Sequence, residues 1–123
     1  MNGNLLPESD PQELVTKFEQ LLTAQFRQDM LQKHGIPTVG FLAQQLNLSP
    51  NYLSSLLRIY TQQNTQQHIQ HKMIEYAKLR LSTSTRSISE IAYELGFEHP
   101  QSFSKVFKKN TQQSPVEFRQ FFQ

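Results

Sequence analysis

The 123-residue chain contains no cysteine. Disulfides and thiolate metal sites are therefore excluded, and the redox compartment stays open. Long apolar runs are missing too, since nothing approaches the ~20 residues that a membrane-spanning helix needs. The N-terminal MNGNLLPESD lacks the basic start and apolar core of a secretory signal. Alternating β-branched runs are scarce, so little argues for strands. Neither a Ser/His/Asp grouping with a glycine elbow nor a phosphate-cradling glycine loop is present, which argues against an enzyme. Net charge is only +2, a weak signal for a polyanionic partner. What these absences leave is a soluble, cytoplasmic, all-α chain.

The distribution of charge says more than its sum. Residues 1–50 hold three basic residues against five acidic ones, a balance of −2. Residues 51–123 hold nine against five, a balance of +4. A basic half beside an acidic half suits a phosphate footprint on one side only. Glutamines are many but scattered through amphipathic segments, and read as polar helix surface. At this length the chain can bury one modest core, or two small ones sharing a scaffold helix.

Residues 1–9 read as a flexible lead-in and residues 10–37 as a helix with its break. Asp10-Pro11-Gln12-Glu13 offers an N-cap aspartate, a first-turn proline and a capping-box glutamate. Leu14, Phe18, Leu21, Leu22 and Phe26 form an apolar stripe, and His34-Gly35 ends it. One helix of about 24 residues, ~36 Å long, is expected.

The most informative stretch is Ser87–Arg119, SISEIAYELGFEHPQSFSKVFKKNTQQSPVEFR. Ser87 and Glu90 make a capping box, and Ile88, Ile91, Ala92 and Leu95 recur at helical spacing. Gly96 stops that helix, and Pro100 suits the first turn of a second, whose buried face is Phe103, Val106 and Phe107. Short helix, glycine turn and basic second helix is the outline of a helix-turn-helix. The outline occurs twice. Val39, Leu42, Ala43, Leu46 and Leu48 match Ile88, Ile91, Ala92, Leu95 and Phe97, with Asn47 falling on Gly96. After one inserted residue, Leu53, Ser54, Leu56, Leu57 and Arg58 match Phe103, Ser104, Val106, Phe107 and Lys108. Thr61-Gln62-Gln63 repeats as Thr111-Gln112-Gln113. Residues 38–63 are thus a first helix-turn-helix and 87–123 a second with a closing helix. Residues 64–86 are a connecting helix and turn, with Ile69, Met73, Ile74, Ala77 and Leu81 on one side.

In such a motif the first helix braces the second, whose exposed residues meet DNA. Those residues are Asn51, Ser54, Ser55 and Arg58 in the first unit. In the second they are Gln101, Ser102, Ser104, Lys105, Lys108 and Lys109. Arginine can grip guanine with two donors, asparagine and glutamine match adenine, and lysine suits phosphate. A connector of about 16–19 residues spans ~24–28 Å. That length allows recognition helices about one DNA turn apart, ~34 Å, in successive major grooves. His68 and His71 are three apart on a helix with Glu75 one turn on, but no third strong ligand follows at useful spacing, so no metal or other cofactor is expected.

The second unit resembles the AraC/XylS family of bacterial transcription regulators, whose pattern runs I-x-x-I-A-x-x-x-G-F-x-x-x-x-x-F-x-x-x-F-K-K and then T-P-x-x-[YF]-R. Here the pattern is met by Ile88, Ile91-Ala92, Gly96-Phe97, Phe103, Phe107-Lys108-Lys109, Pro115 and Phe118-Arg119. LNLSPNYLSSLLR resembles the first unit, and Ile74, Ala77-Lys78 and Leu81 the connector, so Thr38–Arg119 is covered. The resemblance implies a sequence-specific duplex-DNA-binding regulator, with RNA polymerase and an N-terminal sensing or dimerisation domain as further partners. The chain then resembles either a stand-alone DNA-binding member or the C-terminal piece of a longer regulator, and the long first helix, which looks like a continuation, favours the piece. Gln62 and Gln112 stand where the family has glycine, so frayed or differently ended helices are expected there, and Met73 stands near a usual arginine. The competing reading is a helical protein-interaction module that reuses the fold without reading DNA.

Overall fold

The computed structural model describes residues 10–122, and all the regular structure there is α-helical. The expected lead-in over residues 1–9 lies outside the described residues. Eight helices follow in order: α1 Pro11–Gln25, α2 Gln28–His34, α3 Val39–Gln45, α4 Pro50–Thr61, α5 Thr65–Thr83, α6 Ile88–Glu94, α7 Pro100–Thr111 and α8 Pro115–Gln120. They fall into two compact units. The first holds the described residues up to Gln25 together with Pro37–Ile69, and the second holds Phe26–Ile36 with Gln70 onward.

The N-terminal helix differs from expectation. It is two helices, because Arg27 takes an extended backbone (φ −71°, ψ 148°) and serves as the N-cap of α2 without a side-chain cap. No proline or glycine forces the break. Burial accounts for it: Phe18 and Leu22 are core residues of the first unit, whereas Phe26 and Leu31 are core residues of the second. The apolar stripe read along one helix therefore serves two cores. Arg27 also pairs with Asp29 at 2.9 Å across the start of α2.

In the first unit α1 packs on α3 and α4, and α3 packs on α4. Leu42, Ala43, Leu53 and Leu57 are fully buried at that junction. The side chain of Thr38 caps α3 by accepting from the Phe41 amide, and that of Ser49 caps α4 by accepting from the Tyr52 amide. In the second unit α2 packs on α6, α6 on α7 and α7 on α8. A chain of rings runs from its core to the surface: Phe97, the buried Phe103 and Phe107, Phe118 and the exposed Phe122 follow one another at centroid spacings of 5.6, 5.8, 5.6 and 5.1 Å. Tilted and edge-on pairs of this kind add ~0.5–1.5 kcal/mol each beyond their burial.

The turn between the paired helices is reproduced in both units. The Leu48 amide donates to the Ala43 carbonyl at 2.9 Å, and the Phe97 amide to the Ala92 carbonyl at 3.0 Å. Asn47 (φ 59°) and Gly96 (φ 90°) occupy the same left-handed turn. Each longer helix then ends on a left-handed glutamine, Gln62 (φ 64°) and Gln112 (φ 68°). The helices do not fray there, because the Gln62 amide donates to the Arg58 carbonyl at 3.0 Å and the Gln112 amide to the Lys108 carbonyl at 2.8 Å. The glutamines accept a strain of ~1 kcal/mol that glycine would avoid.

The correspondence also reaches further than the sequence pattern. Asn64 and Gln67 bond each other's backbone amides at 2.8 and 2.9 Å, and Ser114 and Glu117 do so at 2.8 and 3.1 Å. Thr65 and Pro115 are both buried at the first helical position that follows. The start of α5 is thus the counterpart of α8. The closing helix spans only Pro115–Gln120, and Phe121 and Phe122 form the turn beyond it.

Candidate nucleic-acid interface

The second helix of each unit, α4 or α7, is 12 residues long, with proline in its first turn. Residues spaced i, i+3, i+4 and i+7 share a helix face. Asn51, Ser54, Ser55 and Arg58 have that spacing on α4, as do Gln101, Ser104, Lys105 and Lys108 on α7. The opposite faces carry the buried Leu53, Leu56 and Leu57, and Phe103 and Phe107. Exposure agrees pair by pair: Asn51 with Gln101, Ser55 with Lys105 and Arg58 with Lys108 are exposed, while Ser54 and Ser104 are half-buried. Ser102 and Lys109 are exposed on the flank of α7. None of the ten expected contact residues is buried.

The two faces differ electrically. α7 carries Lys105, Lys108 and Lys109 and no acidic residue, whereas Arg58 is the one charged residue of α4. Beside α7 an open concavity of about 1150 Å³ is lined by Gln101, Ser104, Lys105, Lys108 and Lys109 together with residues that sequence reading did not single out. Ser89 and Tyr93 come from α6, His99 from the turn, and Val116 from α8. Tyr93 and Val116 are exposed although large and apolar in part. Periodicity alone marks such positions only as non-core.

The second unit also holds a buried polar cluster that no motif announces. Glu94, at the end of α6, has a side chain only 4% exposed. It accepts from the Tyr76 hydroxyl at 2.6 Å, from Arg80 Nε at 3.1 Å and Nη2 at 3.3 Å, and from Gln28 Nε2 at 3.4 Å. Arg86 Nε lies 3.8 Å away. Burial, the hydrogen bond to Glu94 and that carboxylate's charge all push the Tyr76 phenol well above its ordinary pKa. The cluster fastens α2, α5 and the turn after α5 to α6. Arg119 adds a second clamp, donating from Nε to the Leu81 carbonyl at 3.0 Å and from Nη2 to the Ser84 carbonyl at 3.4 Å. Its cation faces the carbonyl end of α5, the favourable end for positive charge.

His68 is bound into the first unit. Its Nε2 shares a hydrogen bond with Thr61 Oγ1 at 2.7 Å, and its ring stands edge-on to Phe18 at 5.4 Å. Among the described residues no group of three metal-ligating side chains comes together. Met73, at the position where the resemblance suggested arginine, is a core residue. No helix among the described residues is long and apolar enough to cross a membrane.

A family model described as a helix-turn-helix domain matches residues 42–120. The chain is 38% identical over 81 residues to the arabinose operon regulatory protein of Salmonella typhimurium, a match covering 66% of this chain and 29% of that protein. It is 30% identical over 81 residues to the regulatory protein SoxS of the same species, covering 66% of this chain and 76% of SoxS. The chain spans less than a third of the length of several curated relatives that it matches. In three dimensions it resembles the DNA-binding domain of AdpA, a global transcriptional factor solved with a target DNA. That likeness has a TM-score of 0.68 and 21% identity, and it covers 91% of both chains. Family and fold are those of transcription-factor DNA-binding domains, not of enzymes. By its duplicated motif and the family match over more than half its length, the chain belongs to the AraC/XylS family of DNA-binding transcriptional regulators.

Proposed function

We propose that this chain binds a specific, asymmetric duplex-DNA site through both units, with α4 and α7 in two successive major grooves. The observation that carries the reading is the pairwise agreement of exposure along α4 and α7, which leaves equivalent polar faces open in both copies. Asn51, Ser54, Ser55 and Arg58 are the base-reading set. Gln101, Ser102 and Ser104 add polar contacts, and Lys105, Lys108 and Lys109 hold phosphate. The single 19-residue connector α5, ~28 Å long at 1.5 Å per residue, supports a two-groove site served by one chain. Because the two faces differ in sequence, the site has no internal symmetry.

Contacts with RNA polymerase, a sensing or dimerisation domain on the N-terminal side and a cytoplasmic location belong to the same reading. The short span of this chain on its relatives supports the additional domain. Selection from a randomised duplex pool with the purified chain, followed by a salt titration on the selected site, tests the proposal. Affinity is expected to fall steeply and linearly with log salt, because phosphate contacts release counterions. Absence of duplex binding at low salt overturns it and leaves the interaction-module reading.

A further inference from the structure

Along the flank of α4, Tyr52, Ser55 and Ile59 are spaced i, i+3 and i+7 and form one strip. Tyr52 is 49% exposed and Ile59 70% exposed, both large side chains left open to solvent. Their counterparts in the second unit are Ser102, Lys105 and Lys109. The same flank of the same motif is therefore apolar in one copy and cationic in the other. A cationic flank answers phosphate. Ile59 cannot, the Tyr52 ring can do so only through its single hydroxyl, and an exposed isoleucine gains only by covering another apolar group.

The strip shares Ser55 with the base-reading face, so it is continuous with the surface proposed to enter the major groove. The thymine 5-methyl is the apolar group that the base edges offer there. We infer that Tyr52 and Ile59 read thymine methyl groups, so that the first unit's half-site is selected for thymine at one or two steps. The second unit has no equivalent preference. This inference rests on the DNA-binding reading above.

The test replaces thymine by deoxyuridine, which removes the methyl and leaves pairing unchanged, in one half of the selected duplex at a time. The half read by the first unit is identified as the one whose sequence preference relaxes in Arg58→Ala. Substitution in that half is expected to weaken binding roughly fourfold per methyl covered, the factor for one buried methyl. Substitution in the other half is expected to leave affinity unchanged. In a Tyr52→Ser/Ile59→Ala chain, both altered positions being exposed, thymine and uracil duplexes should bind alike. Equal binding of the two duplexes by the unaltered chain overturns the inference, as does a thymine preference that survives the double substitution. A double variant that loses only a protein partner, with its discrimination intact, also overturns it. In each of these outcomes duplex binding itself persists, so the functional reading stands; a chain that binds no duplex removes both.

Discussion

The Arg80 guanidinium holds the Glu94 carboxylate by both ends, Nε to Oε1 at 3.1 Å and Nη2 to Oε2 at 3.3 Å. Planar two-point pairing of this kind is stronger and more directional than a single bond. Desolvation nevertheless offsets much of the attraction, because Glu94 is almost wholly buried and Arg80 mostly so. The pair therefore matters chiefly when one half is lost. Glu94→Ala is expected to cost about 3 kcal/mol by leaving Arg80 without its partner. The double substitution Arg80→Met/Glu94→Leu should recover a large part of that loss. Denaturant midpoints of the three chains check this, and a neutral Glu94→Ala would show the cluster to be dispensable.

Thr65 presents an opportunity that its counterpart has already taken. Its buried hydroxyl has no hydrogen-bond partner among the described residues. Pro115 occupies the equivalent first helical position in the second unit, where an amide proton is not needed. Thr65→Pro is expected to stabilise the chain by ~0.5–1 kcal/mol, through loss of an unsatisfied hydroxyl and of freedom in the unfolded chain. A lowered melting temperature would contradict the equivalence of α5 and α8.

Acid should loosen the second unit first. The carboxylates of Glu90 and Glu117 accept the backbone amides of Ser87 and Ser114 at 2.8 Å, and those bonds hold both below the ordinary carboxylate range. A depressed folded-state value means that the stabilisation is complete above the unfolded value of about 4.5. It is lost as pH falls through the folded value. In the first unit the counterpart of Glu117 is the amide Gln67 and that of Glu90 is Phe41, neither of which titrates as a carboxylate. Melting curves across this window should flatten in Glu90→Gln/Glu117→Gln, and amide exchange should show α6 and α8 opening before α3 and α4.

The two reading faces should respond differently to alanine. Arg58→Ala is expected to cost ~1–3 kcal/mol on the selected site and to relax preference in one half only. Lys105→Ala and Lys108→Ala should weaken binding about equally on all sequences, each lowering the salt slope by about 1. Affinities on matched and scrambled duplexes at several salt concentrations separate the two patterns. A uniform loss for Arg58→Ala would reassign that residue to phosphate.

Much of this was legible before any coordinates, for a physical reason. Helix caps, turn residues and buried stripes are set by neighbours three or four positions away, so Ser87, Gly96, Pro100 and Phe103 declare themselves locally. Asn47 could be aligned with Gly96 because both tolerate the left-handed turn. What stayed hidden depends on distant partners. Glu94 looks like any polar residue near a helix end, until Arg80 and Gln28 arrive from 14 and 66 residues away. The break at Arg27 carries no proline or glycine, and only the competing cores explain it. The extension of the repeat to Asn64–Gln67 is hidden because proline and threonine, or glutamate and glutamine, fill equal roles with different letters. Ile59 carries no polar group and Tyr52 only a hydroxyl, so neither side chain declares itself locally as a reading residue.

The separation of α1 from α2 bears on how the gene can be cut. The second unit is discontinuous, assembled from Phe26–Ile36 and the residues after Ile69. A fragment beginning at Gln70 would keep the family signature and yet lack Leu31 and the Gln28 amide that reaches Glu94. A fragment ending at Ile69 would carry Phe26 and Leu31 with no core to enter. Neither half is a portable module, and exchange of reading specificity between relatives must proceed by grafting the surface of α4 or α7 rather than by joining halves within α5.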